Sequence, residues 1–206
     1  MSGIIAQNTL DNSGLVKAPE GGGAWNFIKK LTASGSGDLS FVDGTDDVVL
    51  DSTYKEYLFT FNNIHPETDG ETFQFNMSID SGSNYNVAKT STSILIYHME
   101  DDSASGLQYD TNRDLAQDTG FQDITENQDN DNDSSASGTL HLFNPSSTTF
   151  VKHFISDSTM VRDSAKLYAT KNAGYGNTTS AVDAIRFQMS SGNIDAGDIC
   201  LYGISS

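Results

Sequence analysis

The chain has 206 residues, and its 28 acidic against 11 basic side chains give a formal net charge of −17 at pH 7. So much negative charge repels polyphosphate and leaves no basic patch, which excludes DNA or RNA as a direct partner. A single cysteine, Cys200, excludes an intrachain disulfide and a paired-cysteine metal site. The 11 phenylalanines and 8 tyrosines supply large apolar areas for one buried core.

Residues 1–23 are predicted to form an extended N-terminal arm. The segment contains two short apolar pairs, then Pro19 and three consecutive glycines that act as a flexible joint. It has little to fold around by itself, so it is either a solvated tail or an arm that orders against a partner. A solvated tail does not need apolar pairs, so we favour the arm. Its candidate assembly contacts are Ile4, Ile5, Leu15 and Val16.

Residues 24–206 are predicted to form one β-sandwich domain. Apolar and polar side chains alternate along short segments with polar breaks between them, a pattern typical of strands with one buried face. Residues 57–61, for example, place three aromatic side chains on one face. The predicted strands are residues 25–31, 39–42, 57–62, 73–79, 94–99, 139–143, 150–155, 166–169, 184–189 and 199–204.

The connections between these segments indicate the topology. An Asp69-Gly70 turn predicts a hairpin or a short connection between segments 57–62 and 73–79. Residues 100–137 are polar and are expected to form an exposed Greek-key crossover. Many short strands without a helix therefore predict an all-β fold, a jelly-roll-like antiparallel β-sandwich with an extended N-terminal arm.

Two apolar features bear on what is buried. Residues 94–97 are apolar on both faces, as expected of a central strand that is covered on each side. A partner subunit could supply that cover. Trp25 opens a strand, so it is expected in the core.

The acidic run at residues 126–133 is the sharpest metal candidate. Asp129, Asp131 and Asp133 alternate, and their carboxylates could place oxygen ligands around calcium. However, Ser134 stands where a calcium loop needs glycine, and Leu140 stands where it needs a bidentate glutamate. We therefore expect a solvated acidic loop and no metal site.

The chain carries no motif of an enzyme. It has no serine elbow, no phosphate-binding loop and no βαβ context for a dinucleotide. Its four histidines lack the spacing of zinc ligands, although His98 and His141 could meet across a sheet. We expect no catalytic residue and no cofactor.

Two tyrosines are candidate surface-contact residues. Tyr85 and Tyr175 stand in Gly-, Asn- and Ser-rich stretches, which predict loops of the kind that bind partners. Their rings could contact a protein surface or stack on a host glycan.

Three stretches, residues 54–66, 138–147 and 177–193, together with the closing Leu201-Tyr202-Gly203-Ile204, resemble a family of phage proteins. They are similar to the uncharacterised virion or tail-fibre-associated proteins of tailed phages that infect marine bacteria and cyanobacteria. The resemblance covers roughly residues 24–206 and contains no catalytic motif. It implies a particle component whose N-terminal segment docks to other capsid or tail proteins while a β domain points outward, often as a homotrimer.

We therefore expect a virion structural protein, a capsid decoration or head-fibre component that acts by protein–protein assembly. The alternatives are a tail fibre or receptor-binding module that contacts a host surface glycan or protein, and, more remotely, a glycan depolymerase. No stretch approaches the roughly 20 apolar residues of a membrane span, and the N-terminus lacks a signal-peptide pattern. We expect no membrane partner, assembly in the host cytoplasm and location in the virion.

Overall fold

The computed structural model describes residues 25–162 and 165–205 of the chain. This part contains thirteen strands and no helix, so it also contains no helix that could cross a membrane. The strands are β1 Trp25–Ser36, β2 Leu39–Val42, β3 Glu56–Pro66, β4 Phe73–Ser78, β5 Lys89–Met99, β6 Ser105–Tyr109, β7 Ala116–Asp118, β8 Gln122–Asp123, β9 Ala136–Phe143, β10 Lys152–Arg162, β11 Lys166–Gly176, β12 Ala184–Met189 and β13 Ile194–Ile204.

The strands form two antiparallel sheets in a sandwich. The large sheet has nine strands in the order β1-β13-β3-β9-β10-β11-β5-β6, with β7 also paired to β5. The small sheet has four strands in the order β2-β12-β4-β8. The prediction of an all-β fold is confirmed, and every predicted strand overlaps a strand of the structure. The jelly-roll strand order stays a prediction.

A cluster of phenylalanine rings around Phe187 of β12 forms the centre of the core. Phe187 is fully buried, and its ring centroid lies 5.3 Å from those of Phe59 and Phe61 on β3 of the large sheet. It also stacks on Phe73 of β4 at 5.7 Å. Aromatic pairs of this kind stabilise the fold beyond the burial of their area. Phe187 therefore joins the two sheets.

Of the two alternatives for residues 57–62 and 73–79, the hairpin is wrong, and a short connection joins the two strands. Strand β3 belongs to the large sheet and β4 to the small one, so the connection crosses from one sheet to the other. Both strands have one aromatic face, and these faces meet across the interior. The rings of Phe61 and Phe73 lie 5.2 Å apart, edge to face.

The prediction that residues 100–137 form an exposed crossover is wrong for residues 121–128. The segment contains three short strands, and both Gln122 and Ile124 are completely buried. It crosses the inner face of the large sheet, where Ser158 Oγ donates to the carbonyl of Ile124 at 2.8 Å. Polar side chains are buried here because the sheet beneath them is polar as well.

Two predictions about buried residues differ from the structure near the edges of the large sheet. Trp25 is not in the core, because β1 is an edge strand; the side chain is 57% exposed and packs on Tyr202 at 5.7 Å. Strand β5 lies beside the edge strand β6. In the isolated chain, only the inner side of β5 is covered. Leu95 is therefore buried, whereas Ile94 is 36% exposed.

Substitution of Phe187 by alanine is expected to lower the free energy of unfolding by about 3–5 kcal/mol, because it removes the ring shared by both sheets and leaves a cavity. Urea-induced unfolding measures this change. Phe150→Ala is the control, since Phe150 is 67% exposed in a loop. Equal losses in the two variants would contradict the central place of Phe187.

Candidate assembly surface

The large sheet has an apolar outer side over four neighbouring strands, β10, β11, β5 and β6. Leu107 is 71% exposed, Ile155 is 50% exposed and Leu167 is 47% exposed. Contiguous apolar patches of this kind mark interaction surfaces. We call the following set the outer face: Ile94, Ile96, Leu107, Tyr109, Ile155, Val161, Leu167, Ala169 and Ala173.

The inner side of these strands mixes polar residues with core residues such as Phe154 and Leu95, while apolar side chains also stand on the outer side. Strand β10 buries Ser156 and Ser158 and exposes Ile155. Strand β5 likewise buries Ser93 and exposes Ile94. In a sandwich with one solvated side, the apolar residues of each strand normally face the core. The exposed apolar side chains make the outer face a candidate surface for contact with another molecule.

The outer face also carries no net charge from acidic and basic side chains. Among the outward-facing Asp, Glu, Lys and Arg side chains that the structure describes on β10, β11, β5 and β6, Asp157 and Lys171 form an ion pair. At the edge of the face, His98 lies 3.1 Å from Asp102, and the hydroxyl of Tyr109 donates to Asp114 at 2.7 Å. The whole chain, in contrast, has a net charge of −17. The strands of the outer face are therefore less acidic than the chain as a whole.

The inner side of the same strands is a buried polar layer. Ser91 Oγ on β5 donates to Gln122 Oε1 at 2.6 Å. Asn172 Nδ2 on β11 donates to the carbonyl of Asp123 at 3.1 Å. Buried polar groups need such partners, and residues 110–128 supply them from above the sheet.

Several oxygens of this layer have no hydrogen-bond partner within the described ranges. They are Ser93 Oγ, Gln128 Oε1, Thr170 Oγ1 and Asn172 Oδ1. Ser93 and Asn172 are direct neighbours across β5 and β11. Grouped hydroxyl and amide oxygens of this kind suit buried water.

Arg113 anchors the segment that covers the polar layer. Its Nε and Nη2 donate to the two carboxylate oxygens of Glu126 at 2.7 and 2.9 Å. Its Nη1 donates to Asp123 at 2.5 Å, and Asp110 lies 3.4 Å from Nε. All four side chains are largely buried. A planar guanidinium bound by three carboxylates holds the segment in a specific geometry.

Burial and Arg113 have opposite effects on the pKa values of these carboxyl groups. Burial alone would raise the pKa of Glu126, but the hydrogen bonds and charge of Arg113 hold that pKa below its usual range. Burial raises the pKa of Asp110, and the nearby Glu126 raises it further. Without the guanidinium, three carboxylates would share a site with little water.

Substitution of Arg113 by methionine is expected to lower the free energy of unfolding at pH 7 by about 3–5 kcal/mol, because it leaves buried carboxylates without a cation. Part of the loss should be recovered as the pH falls towards about 4, since the unpaired carboxyl groups then bind protons more readily in the folded state. Urea-induced unfolding at several pH values measures both effects.

Lys30→Met is the control for this variant, because Lys30 pairs with Asp198 at the surface and half of its side chain is exposed. Its loss should stay within about 1 kcal/mol. An Arg113→Met protein as stable as this control would contradict the anchoring role.

A shallow groove of about 420 Å³ lies beside the acidic loop. His65 Nδ1 lies 3.4 Å from a carboxylate oxygen of Asp195, and its Nε2 lies 3.1 Å from the carbonyl of Asp131. Asp133 is exposed at the rim. Within residues 25–162 and 165–205, no three His, Cys, Asp or Glu side chains converge as metal ligands. The groove therefore offers separate polar atoms to solvent.

The predicted surface tyrosines have different surroundings. Tyr85 is half-buried in the connection from β4 to β5, and the guanidinium carbon of Arg186 lies 4.1 Å from its ring centroid. The loop predicted around Tyr175 is wrong, because the residue lies on β11 beside His153, paired in register. The predicted arm contacts lie outside the described residues: Ile4, Ile5, Leu15 and Val16.

His98 and His141, which could have met across a sheet, do not meet. His98 lies on β5 and His141 on β9, and strands β10 and β11 lie between them. His141 Nδ1 instead pairs with Glu56 Oε1 on β3 at 2.5 Å. Alternation places both histidines on the same side of a sheet but does not give the strand order.

The sequence indicates the outer face only in part. The apolar residues 94–97 point to it, but Leu107 stands in the segment interpreted as an exposed loop. Alternation shows which residues share a face, whereas the choice of the buried face depends on what covers the strand. Here the covering segment is polar, and so Ser91 and Ser93 lie on the buried side of β5, next to Leu95.

Known proteins offer little to compare with this chain. No protein-family model matches its sequence, and no curated protein does. A structural-genomics protein of unknown function from Bacteroides ovatus shares 10% sequence identity with it, with a TM-score of 0.27. That likeness covers 51% of this chain and 45% of the other, and it is too weak to indicate a fold or a function.

Proposed function

We propose that this protein is a non-enzymatic structural component of a tailed-phage particle and acts by protein–protein assembly. The observation that carries the assembly role is the outer face, which is apolar, free of net charge and uncovered in the isolated chain. The phage particle as its location depends on the sequence resemblance. A capsid decoration or head-fibre component is the role that we favour.

The proposed occupant of the outer face is a second copy of this chain. Both partners then have a net charge of −17, so association needs a contact surface without net charge. The strand residues of the outer face have this property, and the nearest acidic side chains lie in the connections on either side of β6, such as Asp102 and Asp114. A homotrimer, which the resemblance implies, would bury these faces around a threefold axis.

The arm is the proposed attachment segment. Residues 1–23 join the sandwich at β1, which is an edge strand of the large sheet. The arm and the outer face can therefore bind different partners at the same time, one in the particle and one in a neighbouring copy.

Glutamate at both Leu107 and Leu167 is expected to convert a self-associated protein into a monomer, because it places like charges in the apolar contact. The wild-type mass, measured by light scattering after gel filtration, should be a multiple of the monomer mass. Salt should favour this self-association, because it screens the acidic surfaces. Both side chains are exposed, so the fold should be unchanged in circular dichroism.

Phe150→Glu is the matched control, since Phe150 is equally exposed but lies outside the outer face. This variant should keep the wild-type mass. A wild-type protein that is monomeric at every concentration and salt tested, or a double variant with the wild-type mass, would contradict self-association through the outer face.

Deletion of residues 1–23 is expected to leave a folded, self-associating sandwich that no longer binds to particles. The test mixes the truncated and full-length proteins with particles that lack this protein, and counts bound copies after sedimentation. Full occupancy by the truncated protein would show that the arm is not the attachment segment.

The copy number of this protein per particle distinguishes a location on the head from one on the tail. Hundreds of copies favour a capsid decoration or head fibre, whereas a small multiple of three or six favours a tail fibre that contacts a host glycan or protein. Release of reducing sugar from host polysaccharide would instead support a depolymerase.

A further inference from the structure

Lys89 and Asn76 form a buried pair that assembly does not use. Both side chains are completely buried, Lys89 at the start of β5 in the large sheet and Asn76 on β4 in the small sheet. The Nζ of Lys89 donates to Asn76 Oδ1 at 2.6 Å and to the carbonyl of Val87 at 2.9 Å. The amine therefore lies in contact with the side-chain amide of a strand in the other sheet.

The amide of Asn76 is held in one orientation. Its Oδ1 also accepts from the N–H of Met77 at 2.8 Å. A half-turn of the amide would place its NH₂ against the amine of Lys89, with two donors facing each other. Its Nδ2 donates to three backbone carbonyls, those of Tyr85, Thr119 and Gly120. The carbonyl group thus faces Nζ, and the N–H of Met77 can stabilise negative charge on Oδ1.

The environment of Lys89 favours the neutral amine. Burial lowers the pKa of Lys89 to about 7, and the negative charge of Asp118 opposes only part of this effect. In the described part of the chain, no carboxylate forms an ion pair with this Nζ. A large share of Lys89 is therefore uncharged at neutral pH, and the free amine is the form that attacks a carbonyl carbon.

We propose that Lys89 and Asn76 become joined by an intramolecular isopeptide bond. The lone pair of Nζ attacks Cγ of Asn76, and negative charge develops on Oδ1. A proton passes from Nζ to Nδ2, the bond from Cγ to Nδ2 breaks, and ammonia leaves. The product is a secondary amide, formed without any oxidant or reductant. Because the groups are already in contact, the reaction avoids the entropy loss of bringing them together.

The bond would connect β4 of the small sheet covalently to β5 of the large sheet. This inference goes beyond the proposed function and does not depend on it. A cross-link between sheets keeps the sandwich closed under conditions that would otherwise separate them, which suits a protein exposed on the outside of a particle.

The test is the intact mass of the purified full-length protein, after several days at about pH 9, where an amine with a pKa of about 7 is neutral. The expected mass is that of the sequence less one molecule of ammonia. Tandem mass spectrometry of a digest should find one peptide pair joined between positions 76 and 89. The full sequence mass after this incubation would overturn the proposal.

Lys89→Met should restore the full mass. Lys152→Met is the matched control, because Lys152 is equally buried but its Nζ donates only to backbone carbonyls in the described structure, and this variant should keep the mass loss. A mass loss that persists in Lys89→Met reports a succinimide elsewhere and overturns the proposal. The wild-type measurement alone decides the question if a variant does not fold.

Discussion

The inner sides of β10, β11 and β5 carry hydroxyl and amide groups, and each of these groups needs a hydrogen-bond partner once water is excluded. Residues 110–128 provide those partners, and Arg113 holds this segment in place through three carboxylates. Part of the interior of this half of the sheet is polar, and several apolar side chains of the same strands, such as Ile94, Ile155 and Leu167, face outward. The candidate assembly surface is thus the reverse side of the polar layer, and both depend on the same covering segment.

The strands that could be predicted are those whose signal is local. Alternation along residues 57–62 and 184–189 identifies strands because each needs one apolar face towards the core. Strands β7 and β8 have only three and two residues and no apolar alternation, so they carry no such signal. They exist because the edges of β5 and β4 offer free backbone groups. The sheet to which β3 and β4 each belong could not be predicted either, since the same aromatic pattern fits a hairpin and a pair of strands that face each other from two sheets.

The buried charges could not be predicted from the sequence. Lys152 would be expected at the surface, yet it is buried because three backbone carbonyls converge on its Nζ. The carboxylates around Arg113 follow no helical or strand period, and the segment that carries them looks like a solvated loop. Their partners are brought together only by the packing of β8 on β4 and of the covering segment on the sheet. Similarly, nothing in the sequence places Lys89 against an asparagine in the other sheet.

The pairing of β1 with β13 joins residues at opposite ends of the described chain, with Trp25 opposite Ile204. Contacts between residues so far apart in sequence slow folding, because a long loop must close before they form. During synthesis, β1 therefore cannot pair with β13 until residues 194–204 have left the ribosome. Residues 1–23, the attachment segment of the proposed function, therefore leave the ribosome before the large sheet is complete.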